Sequence, residues 1–230
     1  MTQLAVLFED NHIIAINKRC GDIVQGDKTG DKTLGDDVKD YLKERYNKPG
    51  NVFLGVTHRL DRPTSGAVLF ARTSKALTRL NEMFKEDQSI HKTYWAVVDK
   101  KPEPMTGQLN HWIVRDTKQN KSFAYLNERK ESKKASLTYH YLGSSDRFYL
   151  IEIELHTGRH HQIRAQLATI GLHIKGDLKY GFPRSNSDGG IHLHARKIEF
   201  THPVSGDSVT IVAPPPSDPI WNYFIRSIEG

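Results

Sequence analysis

The 230-residue chain carries 33 Lys and Arg against 27 Asp and Glu, a net charge of +6, and its 37% hydrophobic residues gather in short runs, which excludes a disordered chain. One cysteine, Cys20, excludes an intramolecular disulfide framework and fits a reducing cytoplasm. The N-terminus has no basic stretch followed by a long apolar run, and no window approaches the ~18 apolar residues of a spanning helix, so the reading is a soluble cytoplasmic protein. The positive excess suits a polyanion, because neutralised phosphates release counterions, but charge by itself suits many other basic proteins equally.

In chain order, residues 4–8 and 13–16 read as strands joined by a tight turn. Residues 21–35 form a polar loop, and 36–46 a helix with Val38, Tyr41 and Leu42 on one face. Strands at 53–57 and 67–71 flank a charged loop, 58–66, where Pro63 and Ser65-Gly66 supply extended and turn geometry. Ser74 caps a helix running to Phe84, with Leu77, Leu80 and Phe84 at helical spacing. Strands follow at 93–98, 109–114, 136–141 and 149–155. In the last, Ile151, Ile153 and Leu155 alternate with Glu152 and Glu154, marking one buried face. Residues 160–170 read as a helix with Ile163, Leu167 and Ile170 inward and Gly171 as its stop. Strands at 192–200 and 208–212 precede Pro214-Pro215-Pro216 and a short amphipathic segment, 220–228. Strands outnumber helices and come in consecutive pairs, without repeat or linker. The expectation is an α+β fold, a single domain over 1–230 built on a large mixed or antiparallel sheet with flanking helices.

Three stretches concentrate chemistry. The loop His58-Arg59-Leu60-Asp61-Arg62-Pro63-Thr64-Ser65-Gly66 holds one carboxylate, Asp61, between Arg59 and Arg62. Nearby cations keep a carboxylate ionised, available as nucleophile or base; the same spacing also fits a surface salt-bridge cluster. Thr157-Gly158-Arg159-His160-His161-Gln162-Ile163-Arg164 brings donors to a helix N-terminus, where anions are favoured, and equally fits a solvated basic helix start. Lys175-Gly176-Asp177-Leu178-Lys179-Tyr180-Gly181 lets backbone approach a ligand, or is an ordinary turn. Of the 12 histidines, His192 and His194 share a strand face, whereas adjacent His160 and His161 would diverge by about 100° on a helix. No further pattern joins them, so neither metal nor cofactor is expected.

Taken together, these stretches resemble the RluA-type RNA pseudouridine synthase family. The Asp61 loop resembles its HRLDxxTSG signature, and Leu7–His12 with Ile16-Asn17-Lys18 its first motif. Lys92-Thr93-Tyr94-Trp95-Ala96 resembles its KxYxA segment, and the stretch ending in Arg164 its GRxHQIR motif. Gly176-Asp177, Tyr180-Gly181 and Leu193-His194-Ala195 complete the order. Gln166 stands where histidine is frequent in the family.

The resemblance implies a catalytic domain with a deep basic cleft and isomerisation of a uridine in rRNA or tRNA without cofactor or metal; the N-terminal accessory RNA-binding domain that many relatives carry is not expected here. It implies Asp61 as nucleophile, Tyr94 packing on the target base, Arg164 pairing with the aspartate and Arg59 helping to displace the base from its stack. Arg62, Arg159 and His160 join Arg59 as expected RNA contacts. Structured RNA is the expected partner, with no membrane and no obligate protein partner.

The chemistry agrees. The bond from ribose C1′ to N1 breaks, the base turns, and C1′ joins C5. A carboxylate stabilises such a sugar centre, and uracil leaves as a stabilised anion, so one carboxylate suffices. Attack at C1′, attack at C6 and removal of a sugar proton all remain open. The competing readings are a catalytically silent RNA-binding protein on the same fold and a hydrolase of free nucleosides.

Overall fold

The computed structural model describes residues 4–26, 30–85 and 89–229; residues 27–29 of the expected polar loop lie outside them. In chain order the elements are β1 (Val6–Glu9), β2 (Ile13–Lys18), α1 (Leu34–Arg45), β3 (Gly55–Val56), β4 (Ser65–Ala71), α2 (Ser74–Lys85), β5 (Ile90–Val98), β6 (Thr106–Asp116), β7 (Lys121–Tyr125), β8 (Lys133–Ser144), β9 (Tyr149–Leu155), α3 (Gln162–Thr169), β10 (Leu193–Thr201), β11 (Ser208–Val212) and α4 (Pro219–Glu229). A 3-10 turn at Leu178–Tyr180 lies between α3 and β10. The fold is α+β, as the paired strands implied. The chain divides into two compact units, Met1–Ile90 with Ala195–Pro214, and His91–His194 with Pro215–Gly230.

In the first unit the strand order is β1-β2-β4-β10, with β3 on β4 and β11 on β10. Every residue of β4 is buried. Ile13, Ala15, Ala67, Leu69 and Ala71 meet Ala76 and Leu80 of α2 and Ile198, Phe200 and Ile211 of the last two strands. α1 begins two residues before the expected start because Thr33 and Asp36 form a capping box: the Thr33 hydroxyl accepts from Asp36 N (3.1 Å), and the Asp36 carboxylate accepts from Thr33 N (3.2 Å). In α2 the cap is Thr73, whose hydroxyl accepts from Ala76 N (3.2 Å), not Ser74. The strand expected at 53–57 shrinks to two residues, and Phe53 is exposed.

In the second unit the order is β5-β9-β8-β6-β7, antiparallel throughout. One face carries Tyr94, Ile153, Tyr139, Leu137 and His111, and α3 packs on its β6–β7 end. The other carries Trp95, Val97 and Leu150, which α4 covers with Trp221 and Phe224. Thus β9 buries Leu150 on the face expected to be polar, because a helix lies there too. β7 escaped the sequence reading: it is a five-residue strand, Lys-Ser-Phe-Ala-Tyr, too short for its two alternating aromatics to stand out from the surrounding polar residues. No described helix is long and apolar enough to cross a membrane.

Candidate active site

In the first unit, the loop carrying Asp61 is held by its backbone. A turn closes where Thr64 N donates to the Asp61 carbonyl (3.0 Å). Beside it lies Lys18, the last residue of β2, only 1% exposed. Its ammonium donates to the carbonyls of Thr64 (2.7 Å), Arg19 (2.8 Å) and Arg62 (3.1 Å), and Gly21 N adds a bond to Arg62 O (2.8 Å). Burial pushes Lys18 down to about 8, against the opposing pull of Asp22, Cys20 and Asp61. An ammonium with three donors and no acceptor suits a place where carbonyls converge.

Around that anchor the loop alternates. Leu60, Thr64 and Ser65 are buried, Asp61 is half-buried, and Arg59 and Arg62 are exposed. His58 is architectural: its Nε2 accepts from Leu69 N (3.0 Å), and its ring stacks on Phe84 at 4.6 Å. Gly66 has φ +117°, and a Cβ there would run into the backbone of Ala195. The loop therefore presents one carboxylate and two arginines from a frame made by the other residues.

The second unit holds Tyr94, Arg159, His160 and Arg164. Gln162 organises the approach to α3. Its Oε1 accepts from the Thr157 hydroxyl (2.8 Å) and Arg159 N (3.0 Å), and its Nε2 donates to Ser136 O (3.1 Å), lashing the loop to β8. Arg159 is exposed and donates Nε to Lys134 O (2.9 Å). α3 starts at Gln162, not at residue 160, because His161 sits in the left-handed region (φ 52°) as the N-cap. That turn overrides the expected divergence of the two histidines: their rings stack at 3.8 Å. At the other end Ile170 is 40% exposed, not inward, since the helix has ended at Thr169.

Arg164 is 5% exposed, which rules out the solvated basic helix start for this residue. It forks onto Asp177, Nε to Oδ2 at 2.7 Å and Nη2 to Oδ1 at 2.8 Å, and lies over the Tyr180 ring at 4.9 Å. The Tyr180 hydroxyl accepts from Ser122 N (2.8 Å) and is within hydrogen-bond distance of Ser122 O (3.1 Å) and His161 Nδ1 (3.0 Å). Ser122 Oγ in turn meets His160 Nδ1 (2.9 Å). His161 is pushed down to about 2, first by burial and then by the charge of Arg164, so it is neutral at physiological pH. Tyr94 is 8% exposed on β5.

Asp177 and Tyr180 were not assigned from sequence, where their stretch also read as an ordinary turn. The signal was present in the flanking glycines. Gly176 (φ +89°) abuts Asn186 and Gly190, and Gly181 (φ +103°) abuts His173, so neither position has room for a side chain. Gln166 is fully buried and donates to Leu109 O (3.0 Å) and toward His111 Nδ1 (3.1 Å), anchoring α3 to β6. His192 and His194 pack against Trp221, at 5.3 and 6.0 Å between centroids, and Asn186 Nδ2 lies 3.0 Å from His192 Nδ1. Among the described residues no group of three His, Cys, Asp or Glu is placed to hold a metal.

Residues 12–169 match the model of a family described as RNA pseudouridylate synthase. The chain belongs to that family. The RluA-type resemblance read from its motifs stands with it. An uncharacterized RNA pseudouridine synthase of Synechocystis is 31% identical over 217 residues, covering 93% of this chain and 66% of the relative. The ribosomal large subunit pseudouridine synthase D of Zymomonas mobilis is 30% identical over 225 residues, covering 94% and 70%. The tRNA pseudouridine synthase C of Pectobacterium carotovorum is 28% identical over 233 residues, covering 92% and 59%. The chain thus spans about two thirds of the length of these curated relatives. Human RNA pseudouridylate synthase domain containing 4 superposes with TM-score 0.77 at 23% identity, covering 98% of this chain and 93% of its own, and shows the same fold. In this pseudouridylate synthase, then, the aspartate of the family motif rides on a Lys18-anchored turn, and the motif arginine is gripped by Asp177.

Proposed function

We propose that this pseudouridylate synthase isomerises specific uridines in structured RNA, rRNA or tRNA, to pseudouridine in the cytoplasm, with Asp61 as nucleophile and no cofactor. The observation that carries the reading is the construction around Asp61. A half-buried carboxylate sits on a turn whose backbone is gathered by a buried ammonium, between two exposed arginines. A surface salt-bridge cluster needs no such mounting, whereas a nucleophile must be held in a near-attack geometry.

In this reading Asp61 stabilises the sugar centre as uracil departs, and the base turns so that C5 meets C1′. Tyr94 packs on the base. Asp177 and Tyr180 aim Arg164. Arg59, Arg62, Arg159 and His160 contact the RNA, and a paired uridine is flipped out before reaction. The relatives named for ribosomal and transfer RNA support the two substrate classes.

Asp61→Asn keeps the size and removes the charge. The variant is expected to bind RNA within a few-fold of wild type and to form no pseudouridine, measured by mass spectrometry of digested RNA. Appreciable product from the variant sinks the assignment.

A further inference from the structure

The second unit carries a cation-and-aromatic surface that the reaction chemistry does not use. Cross-strand register places Lys134, Trp112 and Tyr125 in one row across β8, β6 and β7, with Phe123 and Val114 paired in the neighbouring row. The same register puts this row on the sheet face of Trp95 and Glu152, opposite that of Tyr94. α4 covers that face at Trp95, Val97 and Leu150. Trp112 and Phe123 are part-exposed and Tyr125 is exposed, and the adjoining Leu126 is 77% exposed.

Each ring carries a cation. Lys134 Nζ lies 5.3 Å from the Trp112 centroid and the Arg129 guanidinium 5.2 Å from Tyr125, while Lys121 Nζ is shared between Phe123 (5.4 Å) and Tyr180 (5.1 Å). Residues 112–134 hold seven Lys and Arg against three Asp and Glu, a surplus of four out of the chain's net +6. Of those acids, Asp116 is occupied at its own turn by Lys118 N and Gln119 N. On β9 the same face carries Glu152, which accepts from Trp95 Nε1 (3.0 Å), and Glu154, which faces His140 (3.8 Å).

We propose that this face of β6, β7 and β8 binds single-stranded RNA, stacking unpaired bases on Trp112, Phe123 and Tyr125 while Lys134, Lys121 and Arg129 meet phosphates. The inference rests on the reading of the protein as an RNA enzyme and adds a second contact to it. Alternate residues of one strand lie about 6.8 Å apart, so Phe123 and Tyr125 offer two rings side by side to successive bases. An exposed cation over a ring holds it less strongly than a stacked base does, so a base displaces the cation, which then pairs with phosphate. The surplus positive charge favours a phosphate-bearing partner, whose binding releases counterions.

The test uses the full chain and a fluorescent, mixed-sequence single-stranded 12-nucleotide RNA, alongside pseudouridine formation in bulk RNA from cells lacking the gene. Tyr125→Ala and Lys134→Glu are chosen because both side chains are exposed and folding should survive, as circular dichroism checks. Each variant is expected to bind the oligonucleotide about five- to tenfold more weakly, and to raise KM with kcat unchanged. Lys134→Glu should also flatten the log–log salt dependence by about one unit. Unchanged affinity in both variants overturns the proposal, as does a fall in kcat at unchanged affinity. Wild-type protein that binds the oligonucleotide yet forms no pseudouridine in any RNA overturns the enzymatic reading and leaves the binding face standing.

Discussion

Arg164 and Asp177 form a bidentate pair, 2.7 and 2.8 Å, in which neither side chain is more than 5% exposed. The guanidinium cannot be relieved of its charge, so its orientation is fixed by the carboxylate that shares its plane. Asp177 is thereby a positioning residue for the motif arginine.

Removing one partner of a buried pair leaves the other charge uncompensated, at a cost of about 3–5 kcal/mol. Asp177→Asn is therefore expected to lower the urea unfolding free energy by that amount and to reduce turnover. Arg164→Lys, which keeps the charge and loses the fork, should lose less stability than Asp177→Asn but most of the turnover. A variant Asp177→Asn as stable and active as wild type would show that the fork is idle.

His161 gives an acid-side signature. Its folded value, about 2, lies below the ordinary histidine value of 6.5. As pH falls below 6.5 the unfolded chain takes up a proton that the folded chain refuses, so stability is lost on acidification. His161→Asn suits the left-handed backbone and does not titrate. Unfolding free energies between pH 6.5 and 4 should fall less steeply for the variant than for wild type; parallel slopes would contradict the buried neutral imidazole.

Lys18 gives the alkaline counterpart. Its folded value, about 8, lies below the ordinary 10.5. Between those values the unfolded chain holds a proton that the folded chain has released, so this group's contribution to stability rises with pH. Lys18→Met should abolish that rise over pH 8 to 10.5. It also removes the donors to Arg62 and Thr64, and kcat should fall more than KM rises, because the Asp61 turn loses its frame.

Gly66→Ala tests the close approach of β4 to Ala195. The positive φ and the occupied Cβ position act together. Strain and overpacking each cost about 1–3 kcal/mol, so an unfolding free energy lowered by roughly 2 kcal/mol or more is expected from urea titration. A neutral substitution would mean that the backbone here relaxes freely.

Local chemistry was legible in the sequence wherever one residue's neighbours along the chain decide its state. The span of β9 follows from its alternation. The motif loop announced its carboxylate and arginines, and Gly66 its turn. Where a partner from elsewhere in the chain decides, the sequence was silent. Leu150 went inward because α4 covers that face, whereas the Thr33–Asp36 capping box that set the start of α1 is a local pattern three residues long. His161 took a left-handed turn that faces its ring to Tyr180, so a helical angle could not predict its neighbour. Asp177 reads as one more acid in a glycine-rich turn until the fold sets it, 13 residues away, against Arg164. Periodicity records which face is apolar, but the cost of burying a charge is settled only by the group that tertiary structure places beside it.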